Sequence, residues 1–322
     1  MIHIDKYMLR SLLSGILSYS PLKLNRAFRR PGKNNVRAIY CYEVWLKHLI
    51  ITMQFGLKRY PEAVVELGPG DSIGVGLAAL ISGVKRYIAL DVFAFADLRG
   101  SLAIFDELVE LFKTRKEVPY HHGVPDIRPY LNSRRFPEFI LPDSHLNTVL
   151  SEGRLLEIKD KLRMREFKNN NGISINYIAP YSKMNLIEDG TVDMIFSHAV
   201  LEHVDNLEIV YKGLGSALKK DGFSTHQIDF RSHNTAKEWN GYWKYSDAVW
   251  KLIRGKKSYL INRQPYSKHL EYIKSSGLGL IFEEKIYDYD GIARDKLAGR
   301  WTHLADDDIS CKDAFIGIKK SK

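Results

Sequence analysis

Apolar positions in the first 60 residues follow a helical period. An apolar residue recurs at every fourth position of one stripe, with further leucines beside it, which predicts an amphipathic helix. The stripe consists of Ile4, Met8, Leu9, Leu12, Leu13, Ile16 and Leu17. A second helix is predicted over residues 36–55, and Pro61 ends the region. We interpret residues 1–60 as a helical cap on the domain formed by residues 61–322.

From residue 61 onward, short apolar runs alternate with helical segments, a pattern typical of an α/β sheet. The runs at 63–67 and 86–90 are separated by a helical stretch that Asp71 or Ser72 can cap and Gly83 can end, so the two strands are predicted to be parallel neighbours. Further strands are predicted at 173–178, 192–197, 222–228, 280–286 and 314–318. Further helices are predicted at 101–112, 150–167, 207–218 and 267–276.

Two segments interrupt this alternation, at about 100–171 and 231–263, and we interpret both as insertions. Residues 121–145 are rich in proline and histidine and predict a loop. The second insertion and the residues just after it are rich in large aromatic residues: Trp239, Tyr242, Trp243, Tyr245, Trp250, Tyr259 and Tyr266. These rings either form a lid that stacks on a flat substrate or form the core of a small helical subdomain. The helical spacing of the tryptophans favours the core. Arg263 could bind an anionic acceptor or form a salt bridge.

The composition is that of a globular protein. Hydrophobic residues make up 45% of the 322 residues and charged residues 27%, which excludes wholesale disorder. The 2 cysteines exclude a disulfide scaffold and suit a reducing compartment, so we expect a cytoplasmic protein. No segment reaches the ~18 apolar residues of a spanning helix, and charges interrupt the N-terminal run, so neither a transmembrane helix nor a signal peptide is expected.

Lysine and arginine exceed aspartate and glutamate by 48 − 38 = 10, and the sequence pI is about 9.3. Such an excess attracts polyanions without choosing among them. A basic stretch without acids follows the N-terminal stripe, so this region could lie peripherally on an anionic membrane surface. A cap packed on the domain is favoured, because the stripe is short and carries no aromatic anchors of the kind expected at an interface.

The most informative stretch is Glu66-Leu-Gly-Pro-Gly-Asp71. Glycines here let the backbone pass close to a ligand at the end of the first strand, where open α/β sheets bind nucleotides. The third glycine of a dehydrogenase fingerprint is replaced by Ile73. Asp71 would repel a phosphate and suits a ligand with positive charge. Asp91 ends the second strand about 20 residues further on, the spacing at which a carboxylate binds ribose hydroxyls.

An adenosine with a cationic group describes S-adenosylmethionine. Glu66-Leu-Gly-Pro-Gly70 with Asp91 resembles the first two motifs of class I S-adenosylmethionine-dependent methyltransferases. Residues 193–204, Asp-Met-Ile-Phe-Ser-His-Ala-Val-Leu-Glu-His-Val, resemble their fourth-strand motif, and 214–222 resemble the helix and turn before their fifth strand. Each motif alone is weak evidence, but their order along residues 60–286 is specific.

The resemblance implies a Rossmann-like sheet of seven strands with the last strand antiparallel. It also implies S-adenosylmethionine as the cofactor. Glu66, Gly68 and Gly70 would surround its methionine part, Asp91 would hold the ribose, and Val92 would pack on the adenine.

Four more residues are implied at the cofactor by the same resemblance. Tyr177 and Ile178, at the end of the third strand, would flank the adenine. Ser197 and His198, at the end of the fourth strand, would lie beneath the cofactor near the reacting centre. The resemblance extends to bacterial members linked to surface polysaccharides and other sugar modification.

The implied reaction is an in-line displacement at a methyl group, for which the protein must align nucleophile and methyl. A hydroxyl nucleophile is helped by a general base, typically by ~10²–10⁴-fold. The candidates are His203, His226, Asp229 and His233. In a strand His226 and Asp229 point to opposite faces, so at most one of them reaches the site unless the strand ends between them. Glu202 and His203 could instead cap the helix that follows.

A metal ion is a further alternative at this place. Small-RNA 2′-O-methyltransferases and some quinone-pathway methyltransferases bind a divalent ion through a Glu-x-x-Glu-His pattern. Here Ala199 stands at the first Glu, which leaves Glu202 and His203, with His226 or His233 as a further ligand. Two certain ligands are too few for a site, so no metal is predicted.

The sequence thus predicts a methyltransferase that acts on an oxygen of a small-molecule or glycan acceptor. An RNA methyltransferase is the alternative that the basic charge suggests. It is disfavoured because neither an RNA-binding module nor an Asn/Asp-Pro-Pro-aromatic motif is visible, so nucleic acid is not expected as a partner. A non-catalytic S-adenosylmethionine-binding protein is the third alternative. The oligomeric state is left open.

Overall fold

The computed structural model describes residues 5–20, 37–118, 133–164, 172–181, 187–257 and 260–321. Its strands are β1 Ala63–Leu67, β2 Arg86–Leu90, β3 Ser174–Ile178, β4 Val192–His198, β5 Leu218–Asp229, β6 Leu278–Tyr287 and β7 Cys311–Lys320. Within the described residues they form a seven-stranded sheet in the order β3-β2-β1-β4-β5-β7-β6. Strands β1 to β5 pair in parallel, and β7 is antiparallel to both of its neighbours. The predicted Rossmann-like fold with an antiparallel last strand is confirmed.

Helices surround this sheet. They are α1 Lys6–Leu17, α2 Ala38–Phe55, α3 Gly74–Ile81, α4 Leu98–Ala103, α5 Phe105–Lys113, α6 Asp143–Val149, α7 Glu152–Met164, α8 Leu207–Ala217, α9 Asp247–Arg254, α10 Tyr266–Ser275 and α11 Asp306–Ser310. The helix predicted over 101–112 is divided into α4 and α5 at Ile104. The loop predicted over 121–145 is wrong at its end, because α6 begins at Asp143 directly after Pro142. Residues 133–142 contain neither helix nor strand, as predicted, and residues 121–132 lie outside the described ranges.

Both faces of the sheet are covered. One face packs against α2, α3 and α5 in a core that includes Trp45, Leu77 and Phe105. The other face packs against α8 and α10 around Tyr211 and Ile273. Every residue of β1 is buried, which explains its almost uninterrupted apolar sequence, since a strand covered on both faces does not alternate.

The two N-terminal helices have different surroundings, and the predicted boundary at residue 60 does not separate them from the domain. Helix α2 lies in the core against α3, α5 and strands β4, β5 and β7, and buries even Lys47 and His48. It therefore belongs to the helical layer that covers one face of the sheet and is not a cap over the domain. This is expected for a helix that is apolar on most of its circumference. Helix α1 packs on α9 in the second insertion.

Most of the large aromatic residues of the second insertion form its core, whereas Trp239 packs against the core around Tyr211 and Ile273. Tyr242, Trp243, Tyr245 and Trp250 are buried in one cluster with Trp301, in keeping with the interpretation as a subdomain core. The tryptophans do not share one helix, as their spacing had suggested. Trp243 lies in the 3-10 helix Gly241–Lys244 and Trp250 lies in α9. Tyr259 lies outside the described residues.

Arg263 holds this core together. Its Nη1 donates to the carbonyl of Tyr245 at 2.8 Å and its Nη2 donates to Asp247 at 2.6 Å. Its guanidinium lies over the ring of Trp250, 4.8 Å from the centroid. Since the side chain is buried, the alternative of an anionic acceptor bound by Arg263 is wrong. Among the described helices, none combines the length and apolar character needed to cross a membrane.

Candidate functional site

The order of the strands reverses between β1 and β4, and the predicted cofactor residues lie at the carboxyl ends of these strands and of β2. Gly68 and Gly70 follow β1 and both have left-handed backbones, with φ of +64° and +67°. A Cβ at Gly68 would lie 2.6 Å from Val200 Cγ2, whereas a Cβ at Gly70 would meet no atom of the described residues within 4 Å. Gly68 is thus required by packing as well as by conformation. Gly70 borders open space into which a ligand can approach.

Asp91, at the end of β2, is bonded to the same turn. Its Oδ2 accepts the backbone N–H of Gly70 and its Oδ1 that of Phe93, each at 3.2 Å. Burial raises the pKa of this carboxyl. A carboxylate has about four acceptor positions, so Asp91 retains capacity for a ligand's hydroxyls. Tyr181 lies nearby, since its backbone N–H donates to the carbonyl of Asp91 at 2.9 Å, and sequence reasoning missed it.

The neighbouring predicted residues are assembled around Asp91. The backbone N–H of Asp91 donates to the carbonyl of Ile178 at 3.1 Å. The Tyr177 hydroxyl donates to the carbonyl of Phe93 at 3.1 Å and accepts the N–H of Ala96 at 3.2 Å, which fixes the loop after β2. Val92 is half exposed. The structure therefore leaves Val92 free to pack on a ligand, while the hydroxyl of Tyr177 is engaged in holding the loop.

Glu66 lies inside the protein rather than in the turn. Its carboxyl accepts a hydrogen bond from the Tyr87 hydroxyl. Burial, and then the charge of Asp91, raise its pKa to about 8, although the Tyr87 bond lowers it. Glu66 is thus a buried residue of β1 that is bonded to β2 through Tyr87, and its place around the methionine part of the cofactor stays a prediction.

Ser197 and His226 are hydrogen-bonded to each other inside the protein. The Ser197 hydroxyl lies 2.8 Å from His226 Nδ1, and the Ser224 hydroxyl lies 2.7 Å from His226 Nε2. The imidazole is fully buried next to the ring of Tyr211, and burial lowers its pKa to about 3. The prediction of His226 as a catalytic residue is therefore corrected to a core residue, because this face of β5 points toward α8 and α10. The Ser197 hydroxyl is engaged by this imidazole, and its place beneath the cofactor stays a prediction.

His198 points to the other face, where α2 meets the strand ends. Its Nδ1 lies 3.4 Å from His48 Nε2, and His48 Nδ1 lies 2.8 Å from the Thr225 hydroxyl. Burial and then the charge of Lys47 lower the pKa of His198 well below its usual value. The buried Nε2 of His198 has no hydrogen-bond partner in the part of the chain that the structure describes.

Helix α2 contributes residues that sequence reasoning missed. The Tyr40 ring makes an edge contact with His198, with centroids 6.2 Å apart, and Lys47 donates to the Gln227 side chain. The available signal was the pair Lys47-His48 inside an otherwise apolar helix, because polar side chains are not placed in a core without partners.

The remaining candidates form one polar cluster, which we call the strand-end cluster: Glu202, His203, Asp229 and His233. The rings of His203 and His233 are 5.0 Å apart in an edge contact. His203 Nε2 lies 3.9 Å from Glu202 Oε1, and His233 Nε2 lies 3.4 Å from Asp229 Oδ2. Residues that follow β4 are thus brought close to residues at and beyond the end of β5, and the catalytic role of His203, Asp229 and His233 stays a prediction.

The two carboxyl groups of the strand-end cluster, Asp229 and Glu202, have pKa values shifted in opposite directions. Burial raises the pKa of Asp229, but His233 and Arg231 outweigh it and the net shift is downward. Burial and the charge of Asp229 raise the pKa of Glu202 well above its usual value. Within the described residues neither carboxylate oxygen of Glu202 has a hydrogen-bond partner. Glu202 does not cap the following helix, because the Asn206 side chain accepts the N–H of Ile209 there at 3.1 Å.

The backbone of this cluster is held in an unusual conformation. Ala199, His233 and Asn234 have φ of +56°, +47° and +65°, in the left-handed region that non-glycine residues adopt at a cost. Asn262 fixes the 3-10 helix Leu201–His203, since its side chain donates to the carbonyl of Leu201 at 2.8 Å. The cluster is therefore presented by a rigid scaffold.

No protein-family model and no curated protein matches the chain. Solved structures with a similar fold include an S-adenosylmethionine-dependent methyltransferase from Mesorhizobium loti, with 12% identity, 84% of this chain and 96% of that chain covered, and a TM-score of 0.39. Geranyl diphosphate methyltransferase in complex with SAM is similar with 13% identity, coverage of 92% and 94%, and a TM-score of 0.43. Phosphoethanolamine N-methyltransferase 2 of Haemonchus contortus is similar with 13% identity, coverage of 90% and 59%, and a TM-score of 0.39.

Proposed function

We propose that this chain is an S-adenosylmethionine-dependent methyltransferase that methylates an oxygen of a small-molecule or glycan acceptor. One observation carries the proposal: the left-handed turn at Gly70 borders open space and is hydrogen-bonded to the buried Asp91 at the end of the next strand. A turn that admits a ligand beside an acid that accepts hydroxyl hydrogen bonds suits a nucleoside. The motifs after β4 and before β5 support the same family.

The residues of this edge fit the cofactor. Asp91 would accept the ribose hydroxyls, and the turn at Gly68 and Gly70 would lie along the methionine part. Val92, half exposed, would pack on the adenine beside Ile178. No atom of the described part of the chain lies within 4 Å of a Cβ placed at Gly70, which provides the room that this arrangement needs.

Bound S-adenosylmethionine would supply a methyl group carried by a sulfonium. The nucleophile would take this methyl group, and the sulfur would leave as a neutral thioether. The protein's own part is to align the acceptor and to take up its proton. The strand-end cluster serves the second task, since His203, Asp229 and His233 place imidazoles and a carboxylate together. His203 and His233 are each partly exposed to solvent and to a ligand.

The acceptor assignment is supported by chemistry rather than by contacts. A cluster of imidazoles and carboxylates assists deprotonation of a hydroxyl, which is why an oxygen is favoured. The resemblance to sugar-modifying members supports a glycan. An RNA acceptor is the competing proposal, and the formal charge of +10 is what favours it.

Calorimetry with the full chain tests the proposal. We expect wild type to bind S-adenosylmethionine and S-adenosylhomocysteine, and Asp91→Ala to weaken both by about 10-fold or more, because a hydrogen bond to a charged group contributes about 1.5–3 kcal/mol. Asp189→Ala, in an exposed turn, is the control and should bind as wild type. No heat with either compound in wild type would overturn the proposal.

Release of S-adenosylhomocysteine with a panel of acceptors then separates the alternatives. Turnover with sugars or small hydroxyl compounds supports the proposal. Turnover with RNA only, together with a steep loss of RNA binding as salt increases, would replace it by the RNA methyltransferase. Cofactor binding without turnover on any acceptor would favour the non-catalytic alternative.

A further inference from the structure

The strand-end cluster contains a set of donor atoms suited to a metal ion. One ligand atom each from Glu202, His203 and His233 lies within 4.8 Å of the other two. Glu202 and His203 come from the 3-10 helix after β4, and His233 comes from the loop after β5. Of the two histidines that the sequence offered as a third ligand, the structure brings His233 to this place and buries His226 elsewhere.

Glu202 provides a second and independent indication. Its side chain is 3% exposed, and neither of its oxygens has a hydrogen-bond partner among the described residues. An unpartnered buried carboxylate is costly, so proteins normally pair it with a cation or a donor. Its Oε1 lies 3.9 Å from His203 Nε2, so the carboxylate is close to one of the two histidines.

The surroundings fit a metal site as well. Asp229 Oδ2 lies 3.4 Å from His233 Nε2, and the Arg231 backbone N–H donates to Asp229 at 2.8 Å. A carboxylate that orients a ligating histidine is the usual second layer of such sites. The Asn262 N–H donates to the carbonyl of Glu202 at 2.6 Å, so the backbone carrying two of the donors is held in place.

We propose that Glu202, His203 and His233 bind one divalent transition-metal ion. Two imidazoles with one carboxylate favour Zn²⁺, Co²⁺, Mn²⁺ or Fe²⁺ over Mg²⁺ and Ca²⁺, which prefer oxygen ligands. Ligand distances of about 2.0–2.2 Å require the three donors to approach each other slightly, which small rotations of the two partly exposed histidines allow. Three protein ligands leave a coordination position open for an acceptor hydroxyl.

The binding of the ion is independent of the proposed function, whereas its use on an acceptor hydroxyl rests on it. An ion at this place would lower the pKa of a bound hydroxyl and hold the oxygen that is to be methylated. The strand-end cluster would then act through the ion, and Asp229 would remain a positioning residue for His233.

Cobalt binding to the full chain tests the site. Protein freed of metal with a chelator is titrated with Co²⁺ and followed by visible absorption and calorimetry. We expect about one equivalent to bind with ligand-field bands, and Glu202→Gln and His233→Ala to weaken binding by at least about 10-fold. His303→Ala is the matched control, since His303 is an exposed histidine outside the cluster, and should bind as wild type.

Two results would overturn the metal site. One is the absence of bands and heat with Co²⁺, Zn²⁺ and Mn²⁺ in wild type. The other is unchanged affinity in His233→Ala, a variant at an exposed position that should leave the circular dichroism spectrum as it is. S-adenosylhomocysteine binding to metal-free protein is measured in parallel, so that loss of the metal site and loss of the proposed function are seen separately.

A different observation concerns the outer face of α1. Met8, Ser11 and Gly15 face the insertion, whereas Leu9, Leu13, Ile16, Leu17 and Tyr19 are between 42% and 55% exposed. These five residues form what we call the α1 apolar stripe. The spacing of Leu9, Leu13, Ile16 and Leu17 places them along one side of the helix, and Tyr19 follows just after its end. A single exposed leucine is ordinary on a protein surface, whereas a row of exposed apolar residues is not.

The charges around the α1 apolar stripe favour an anionic partner. Residues 6–20 contain no acid, and Lys6 and Arg10 are exposed on the same helix. Helix α9, against which α1 packs, is followed closely by the exposed Lys256, whose Nζ lies 5.4 Å from the centroid of the Tyr19 ring. We infer that the α1 apolar stripe docks on an anionic lipid surface, as an interfacial helix with flanking bases does.

Vesicle sedimentation with the full chain tests this surface. We expect binding to vesicles with roughly 30% phosphatidylglycerol and little binding to pure phosphatidylcholine. Leu13→Gln with Ile16→Gln should reduce the bound fraction by at least about 5-fold. Ile209→Gln, at an exposed isoleucine of α8, is the control and should bind as wild type.

The docking proposal fails if wild type does not sediment with anionic vesicles or if the double variant binds as well as wild type. It also fails if light scattering shows a dimer that the double variant converts to a monomer, because a second copy would then cover the stripe.

Discussion

The backbone N–H of Gly70 donates to Oδ2 of Asp91 at 3.2 Å, so a hydrogen bond joins the turn after β1 to the acid that follows β2. The two strands are parallel neighbours, and Leu67 is paired with Leu90 directly before these residues. A ligand that contacts both therefore meets a preformed arrangement, and less of its binding free energy is spent on ordering the loop.

The two glycines of this turn should respond differently to alanine. Gly70→Ala should lower the free energy of unfolding by about 1 kcal/mol, the cost of a left-handed non-glycine residue. Gly68→Ala should lower it by about 2–4 kcal/mol, because the new Cβ also collides with Val200. Urea denaturation of both variants measures the difference, and equal losses would contradict the geometry of the turn.

Glu66 should make the stability depend on pH. Its pKa is about 8 in the folded protein, above the usual 4.5, so the native state binds the proton more tightly than the unfolded chain. The resulting stability is fully present below about pH 4.5 and is lost as pH rises through about 8. Glu66→Gln should therefore be more stable than wild type at about pH 9, by a few kcal/mol at most.

Urea denaturation at several values between about pH 5 and about pH 9 measures this effect. Glu188→Gln serves as the control, since Glu188 is exposed, and its stability should follow wild type at every pH. Parallel curves for Glu66→Gln and wild type would show that the buried carboxyl does not titrate in this range.

His226 should make the protein less stable as pH falls, whereas Glu66 makes it less stable as pH rises. Its folded pKa of about 3 lies below the usual 6.5, so the unfolded chain takes the proton first. Its contribution is present above about pH 6.5 and decreases by about 1.4 kcal/mol per pH unit below that value until the folded pKa is reached. His226→Gln should remove this part of the acid sensitivity.

The measurement compares wild type and His226→Gln by denaturant unfolding at about pH 7.5 and about pH 5.5. At the higher pH the variant should be less stable by about 1–3 kcal/mol, because the Ser197 and Ser224 hydroxyls lose a buried partner. A variant that is as acid-sensitive as wild type would show that the buried imidazole is not neutral.

Arg263 should matter for stability and hardly for acceptor affinity. Arg263→Lys keeps the charge but loses the fork that joins Tyr245 to Asp247 and the planar contact with Trp250. We expect a loss of about 1–3 kcal/mol in the free energy of unfolding. Arg300→Lys, at a more exposed arginine on the same Asp247, is the control and should cost less than about 1 kcal/mol. An effect on acceptor KM without any loss of stability would restore the acceptor role.

Much of the fold could be predicted from the sequence because its signals are local. Apolar runs and turn residues placed the strands to within a few residues. The turn at Gly68 and Gly70 could be predicted because glycines so close together after a strand mark a left-handed backbone. Helix α6 was missed because the proline-rich stretch before it hid a helix that starts directly after Pro142. The role of α2 was misjudged, because amphipathicity shows that a helix is buried but not against what.

The residue order by itself determined the β1 turn, the acid at the end of β2 and the alternation that sets His226 and Asp229 on opposite faces. Only the tertiary structure decided which face is the site: β5 turns His226 into the core against α8 and α10, and a left-handed backbone at His233 brings that histidine to Glu202 and His203, about 30 positions earlier in the chain. The physical reason is that alternation in a strand is a local property, whereas the choice of face depends on which helices pack on each side.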